Sequence, residues 1–403
     1  MIEEAETDVG SKVTARDRLR AAAHRLHSTD RDALLIWLAS RASVWVVAGA
    51  VGLLFATSDG GVVPLLDRWQ QWDYHHFRGI ALNGYGGEPT GVPNEAFFPG
   101  FPALLAFGNA LGIPHVVAGL LVSLVAGGVA AVALARLGDR EGGPGTGRLA
   151  VLLWVFAPPA VFLAAPYTES LFLGFAIPAW LCARQGRWAP ASLLTAAACT
   201  VRVSGVFLLA AIVVEWLTSR HERHWTHVPW LLPPAAVLGA WTIYLWRSTG
   251  DWLAWLHAQA QEWNRDLTWP WDALTHTWNA AFCRSSGGTL CVGDEVGGGL
   301  SPGFAWMFRA EIVAMVIGVA LTVALLIWRR WGDATWVGLQ VAAFGTSFWY
   351  FSVPRATLLW WPLWIALAVV AVRRRWVLWA YLSLSAPLMA LWAAAFLTGR
   401  WAG

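Results

Sequence analysis

Residues 34–56 read LLIWLASRASVWVVAGAVGLLFA, an apolar run broken by a single charge, Arg41. A bilayer's hydrocarbon core takes roughly 20 apolar residues in a helix, so this run is long enough to cross one. It begins too late and runs too long for a cleavable signal segment. Comparable runs follow at 115–137, 149–164, 167–183, 188–201, 203–217, 229–246, 304–328, 335–353, 358–372 and 376–398, which makes eleven expected crossings. Of the 403 residues, 57% are hydrophobic and 13% charged, a composition that excludes a soluble globular enzyme and a disordered chain. Four cysteines are too few for a secreted disulfide scaffold. The basic and acidic residues, 28 against 25, are too evenly matched to signal a nucleic-acid partner. The expected fold is all-α, a polytopic membrane protein with one transmembrane domain over 33–403 behind a polar tail, 1–32.

The placement of charge orients the chain. Segment 96–112 is apolar, but Pro99, Gly100 and Pro102 disturb its start and leave a short remainder. If it does not cross, the compact basic clusters share a side with the tail: Arg136, Arg140 and Arg148; Arg184 and Arg187; Arg220 and Arg223; Arg329 and Arg330; Arg373 to Arg375. The positive-inside rule makes that side cytoplasmic, and 96–112 becomes re-entrant or interfacial, a placement tolerated where protein or a watery cavity surrounds the backbone. Outside lie loops 58–114 and 247–303 and the turns at Pro166, Arg202 and 352–357. Cys283 and Cys291, both in the second long loop, are then expected to pair. No metal-ligand spacing is present. A single lysine, Lys12, among many arginines, with abundant Ala, Gly and Trp, suggests a GC-rich bacterial chain and so a bacterial plasma membrane.

The first outer loop carries residues 67–83, DRWQQWDYHHFRGIALN. As one helix at about 100° per residue, it puts Trp69, Trp72, His76, Phe77 and Ile80 on one arc and Gln70, Gln71, Tyr74 and Arg78 opposite, a pattern suited to the membrane surface. Asp73 falls inside the apolar arc. A carboxylate there needs a partner or a polar cavity, so it is either ion-paired with a nearby Arg or a protonated His76, or functional. Adjacent His75 and His76 point to different sides of a helix, which argues against a shared metal. Glu169, after Pro166, Tyr167 and Thr168, compensates a helix dipole or belongs to a site. Arg202 sits in VRVSG between two apolar runs too short to cross comfortably, and a cation held there wants an anion. Arg355, in SVPRATLLWWP, reads as a snorkelling residue or a lipid-phosphate contact. Trp252, Trp255, Trp263, Trp269 and Trp271 form an interfacial belt or a sugar-stacking surface.

An outward-facing carboxylate with arginines near the membrane boundary suits group transfer from a lipid-linked phosphate. The leaving phosphate needs electrostatic support, which Arg gives, and the incoming hydroxyl needs a base, which one Asp supplies. The run RWQQWDYHHFRGIALNGYG at 68–86, followed by NEAFFPGFPALL at 94–105, resembles the signature of the PIG-V family, mannosyltransferases of the glycosyltransferase-C superfamily. APYTESLFLGF, TVRVSGVFLL and SVPRATLLWWPL look like later blocks of that family in the same order, so the resemblance covers roughly 33–372. It implies a polyprenyl-phosphate mannose donor, inversion by direct displacement, no metal or other cofactor, and Asp73 as the base. It also implies a pocket built from Glu169, Arg202 and Arg355, with Phe97, Phe98, Pro99 and Phe101 as its wall or donor channel; His76 and Tyr167, beside these residues in sequence, join it. The stretch GYGGEPTGVPNE at 84–95 departs from the pattern. The partners expected are the polyprenyl-phosphate sugar, a lipid, glycan or protein acceptor outside the cytoplasm, and membrane lipids. A related transferase for another polyprenyl-phosphate sugar, arabinofuranose or glucose, is the near alternative. A transporter is the distant one, and it predicts internal repeats that the sequence lacks.

Overall fold

The computed structural model describes residues 28–55, 63–85, 93–219, 225–263, 265–283 and 302–402. Among them the regular structure is helical, with one isolated antiparallel bridge between Leu267 and Ser347. The helices are α1 Ser28–Leu54, α2 Asp73–Asn83, α3 Gly100–Ala110, α4 His115–Gly142, α5 Thr146–Val155, α6 Thr168–Arg184, α7 Trp188–Cys199, α8 Ser204–Thr218, α9 Leu232–Thr249, α10 Ala254–Trp263, α11 Pro270–Phe282, α12 Pro302–Ile327, α13 Trp331–Gly345, α14 Val353–Ala356, α15 Trp361–Arg373 and α16 Arg375–Leu397.

The apolar runs expected to cross lie largely in helical structure, although 335–353 leaves it after Gly345, and among the described residues five helices qualify as spans by length and composition: Ser28–Leu54, His115–Gly142, Trp225–Thr249, Phe304–Ile327 and Arg375–Leu397. A sixth is possible if Val353–Leu359 and Trp361–Arg373, bent by 73°, count as one broken span. The run 149–164 stops being α-helical at Val155 and continues as a 3-10 turn, Pro158–Leu163. Residues 28–32, read as tail, form the first turn of α1, where buried Asp30 takes a bidentate pair from Arg136 at 2.8 and 2.7 Å.

Small residues let the helices approach closely, as packing within a membrane requires. A Cβ on Gly127 would come within 2.3 Å of the Trp37 ring, which fills that position and donates its Nε1 to Leu124 O at 3.0 Å. The bent pair exposes backbone carbonyls that need donors at depth. Indoles supply them: Trp154 to Leu358 O at 3.1 Å, Trp336 to Leu359 O at 3.0 Å and Trp364 to Thr357 O at 3.1 Å. Trp336 also stacks on Trp361 at 4.7 Å, so tryptophans tie the broken segment into the core. That fixes where Arg355 can stand.

Candidate active site

Periodicity predicts one helix over 67–83, and the structure corrects this. Asp67–Trp69 is a 3-10 turn, the chain turns again at Gln70–Trp72, and α2 begins at Asp73. Trp72 takes φ 47°, a left-handed conformation rare for a large side chain, and its ring meets Trp401 edge-on at 5.4 Å. The break rotates the two halves relative to one another. Tyr74, expected on the polar side, is buried, while Trp72 is exposed. Asp73 therefore sits at the N-terminal end of a helix, where the dipole favours a carboxylate.

Four charged residues from four parts of the chain converge. Arg355 Nη1 contacts Asp73 Oδ2 at 2.8 Å, and its Nε contacts Glu169 Oε1 at 2.5 Å. Arg202 pairs with the same Glu169 oxygen and donates to Thr168 Oγ1 at 2.7 Å. Glu169 is fully buried, Arg355 nearly so, and Asp73 retains 23% side-chain exposure. Asp73 is thus the acid at the open end of the relay Asp73–Arg355–Glu169–Arg202. Arg355 is neither snorkelling nor free for a lipid phosphate: it is turned inward, its guanidinium 4.7 Å from the Phe162 ring and 4.8 Å from that of Tyr167. Arg202 has found the anion its position called for.

Local structure explains the convergence. Ser352, at φ 69°, turns the chain into α14, and the first amides of that turn, Ser352 N and Val353 N, bond to Glu311 at 2.8 and 2.7 Å. Buried Glu311 on α12 therefore pins the turn that presents Arg355. Tyr167 donates its hydroxyl to Gln71 O at 2.7 Å, tying the loop before Glu169 to the loop before Asp73. Phe77 packs edge-on against both Tyr167 and Phe97.

The AFFPGFP segment forms one wall. His76 stacks on Phe97 at 4.9 Å, and Trp263 closes edge-on over both rings. Phe98 lies against Trp241 and Trp255, and Trp255 and Gln259 donate to Ala96 O at 3.2 and 3.4 Å. The second long loop thereby docks on the first. Gly100 N donates to Thr200 O at 2.7 Å, and a Cβ there would lie 2.8 Å from that oxygen, so only glycine fits. Burial pushes the His76 imidazole below its ordinary pKa against the opposing pull of Asp73, so the ring in this wall is neutral at pH 7.

Arg265 belongs to the site and was missed in the sequence. It lies just past α10, donates Nη2 to Phe351 O at 3.4 Å and rests over the Phe344 ring at 5.5 Å. Burial lowers its pKa to about 10, nearby Arg202 and Arg355 add to this, and Asp73 and Glu311 oppose it. Among the described residues it makes no ion pair with a carboxylate. The bridge of Leu267 to Ser347 and the bond of Thr268 N to Thr346 O at 2.8 Å hold its loop in place. Sequence periodicity is silent in such a loop; the available signal was one arginine among tryptophans. Cys283 is disulfide-bonded, while Cys291 lies outside the described residues. Among the described residues no three His, Cys, Asp or Glu converge where a metal could be held.

Residues 59–226 match the model of a family described as mannosyltransferase (PIG-V). GPI alpha-1,6-mannosyltransferase 2 of Mus musculus is 36% identical over 168 residues, 39% of this chain and 33% of the relative. The Homo sapiens protein of that name is 37% identical over 156 residues, 36% of this chain and 31% of the relative. The chain thus matches about a third of the length of these relatives. The matched segment contains Asp73, the AFFPGFP wall, Glu169 and Arg202; Arg265, Glu311 and Arg355 come from beyond it.

Proposed function

We propose that this chain, a member of the PIG-V mannosyltransferase family through residues 59–226, is an integral membrane enzyme that transfers mannose from a polyprenyl-phosphate donor to a lipid, glycan or protein acceptor outside the cytoplasm. The observation that carries this reading is the relay in which Arg355 bridges Asp73 and Glu169. It leaves Asp73, 23% exposed, as the most accessible acid of the relay, next to the aromatic wall of His76, Phe97 and Trp263.

In this reading the acceptor hydroxyl attacks the anomeric carbon in one displacement. A new C–O bond forms as the bond to the donor phosphate breaks, and the departing phosphate oxygen keeps the electron pair. Asp73 takes the hydroxyl proton. Inversion at the anomeric carbon follows from the single displacement. Arg355 orients Asp73, and Glu169 in turn holds Arg355 and Arg202. Because Arg202 and Arg355 are both engaged by Glu169, the cation best placed to meet the leaving phosphate is Arg265, which among the described residues pairs with no carboxylate and has a guanidinium fork suited to phosphate oxygens. Phe97, Phe98 and Trp263 supply apolar surface for the prenyl chain or stacking surface for the sugar.

The test is a donor panel. Purified protein receives polyprenyl-phosphate mannose, glucose or arabinofuranose, and the anomeric configuration of any product is read by NMR. Transfer of mannose with inversion supports the proposal. Transfer of a different sugar keeps the mechanism and changes the substrate. Retention of configuration rejects the single displacement.

A further inference from the structure

Several helices that carry the site at one end meet again at the other. Glu169 and Arg184 are the two ends of α6, about 22 Å apart at the α-helical rise. Helix α12 carries Glu311 near its start and is followed by Arg329 and Arg330, and α8 runs from just after Arg202 to Glu215 and Thr218. At this far end lies a cavity of about 370 Å³ lined by Arg140, Arg184, Glu215, Arg329, Arg330 and Trp331 among others.

The charges there fall into two groups. Beneath the cavity, Arg184 pairs with Glu141 at 3.2 Å and with Glu215 at 2.8 Å, while Arg330 pairs with Glu141 and with Asp333, the latter at 2.7 Å. These contacts tie helix ends together. Arg140 and Arg329 form no such pair among the described residues: Arg140 donates to Arg184 O at 2.8 Å, and Arg329 is exposed in a left-handed turn at φ 54°. Among the described residues, Arg140 and Arg329 thus bring two guanidinium groups without a carboxylate partner to a cavity whose paired ions, two arginines against three carboxylates, carry one net negative charge, so the whole cluster carries one net positive charge. The adjoining surface of α12 is exposed and apolar, with Val323, Leu326, Ile327 and Trp328 leading up to Arg329. Trp331, itself 45% exposed, stands at the rim, where an indole suits a headgroup region.

We propose that this cavity binds a phosphate group, presented by an anionic membrane lipid whose acyl chains lie along the exposed face of α12. Basic pockets between helix ends recognise such headgroups, and the apolar approach favours a lipid over a free ion. The site is separate from Asp73 and owes nothing to the transfer chemistry.

The experiment measures the full-length protein in detergent against three probes: phosphatidylglycerol, monogalactosyldiacylglycerol, which has acyl chains and no phosphate, and inorganic phosphate. Native mass spectrometry reads retained lipid, and the thermal midpoint reads binding. The expected result is retention and a raised midpoint with phosphatidylglycerol alone. Affinity should weaken about fivefold in Arg329→Gln and roughly twenty-fold in the double variant Arg140→Gln/Arg329→Gln. Equal midpoints of all three proteins in the galactolipid show that the variants fold. Inorganic phosphate raising the midpoint as much as phosphatidylglycerol supports a phosphate site and assigns its source to a soluble anion. Phosphatidylglycerol held equally by wild type and double variant, or by neither, overturns the proposal.

Discussion

Replacing Arg355 by Gln removes the cation shared by two carboxylates. Glu169 is fully buried and keeps only Arg202; Asp73 loses its partner but retains 23% exposure and can rehydrate. Removing one member of a buried ion pair costs about 3 to 5 kcal/mol, and the partial rescue of both acids puts this variant at the low end, ~3 kcal/mol. Glu169→Gln alone should cost a similar amount, because it leaves Arg202 and Arg355 facing only Asp73. The double variant Glu169→Gln/Arg355→Gln restores the balance, leaving one carboxylate and one guanidinium in the relay. Its expected cost is about 3 kcal/mol, against ~6 kcal/mol if the two changes were independent, a coupling at the upper end of that seen for contacting residues. Reversible unfolding in an SDS titration gives all four corners of the cycle. Additive losses, or an Arg355→Gln protein as stable as wild type, would refute the bridging role.

Arg265→Gln should raise the KM for a polyprenyl-phosphate donor by about tenfold or more, as expected for loss of a charge-assisted contact, with little change in the unfolding midpoint; unchanged donor kinetics remove Arg265 from the site. Gly100→Ala places a Cβ 2.6 Å from Thr200 Oγ1, and overpacking of this kind costs about 1 to 3 kcal/mol; a calorimetric midpoint equal to wild type would show that the AFFPGFP wall is not docked as described. His76 is held neutral by burial, so the unfolded chain takes up a proton below about pH 6.5 that the folded ring resists. Stability should therefore be complete above that pH and fall as pH drops toward the lowered folded value. His76→Phe should flatten the pH dependence of the unfolding midpoint in that window, and an unaltered slope would contradict the burial of this ring.

Composition and run length were enough to read the helical membrane architecture, because burying backbone in lipid leaves few other solutions. The resemblance at 68–105 also led to Asp73. Periodicity failed where tertiary packing overrode it: a continuous wheel over 67–83 cannot anticipate that Trp72 adopts a left-handed backbone, so Tyr74 landed on the wrong side. Arg202 was read correctly as a cation in need of an anion, since two short helices must leave their junction at depth. The local reading of Arg355 as a snorkelling or lipid-contacting residue missed its ion pairs, because the turn that presents it rests on Glu311, 44 positions earlier, whose contacts with the Ser352 and Val353 amides leave no local mark. Glu311 was not singled out in the sequence, although an acid inside an apolar run marks it. Arg265 was not singled out either, because its place is set by contacts with Phe344 and Phe351 across the loop.

The proposed chemistry stands or falls on Asp73. Labelled mannose transfer from synthetic polyprenyl-phosphate mannose, measured with EDTA present for wild type and Asp73→Asn side by side, tests it most directly. The account predicts transfer by the wild type and a loss of at least about a hundredfold in Asp73→Asn, with the variant still folded by its unfolding midpoint. An Asp73→Asn protein that transfers mannose at the wild-type rate would contradict the assignment of the base.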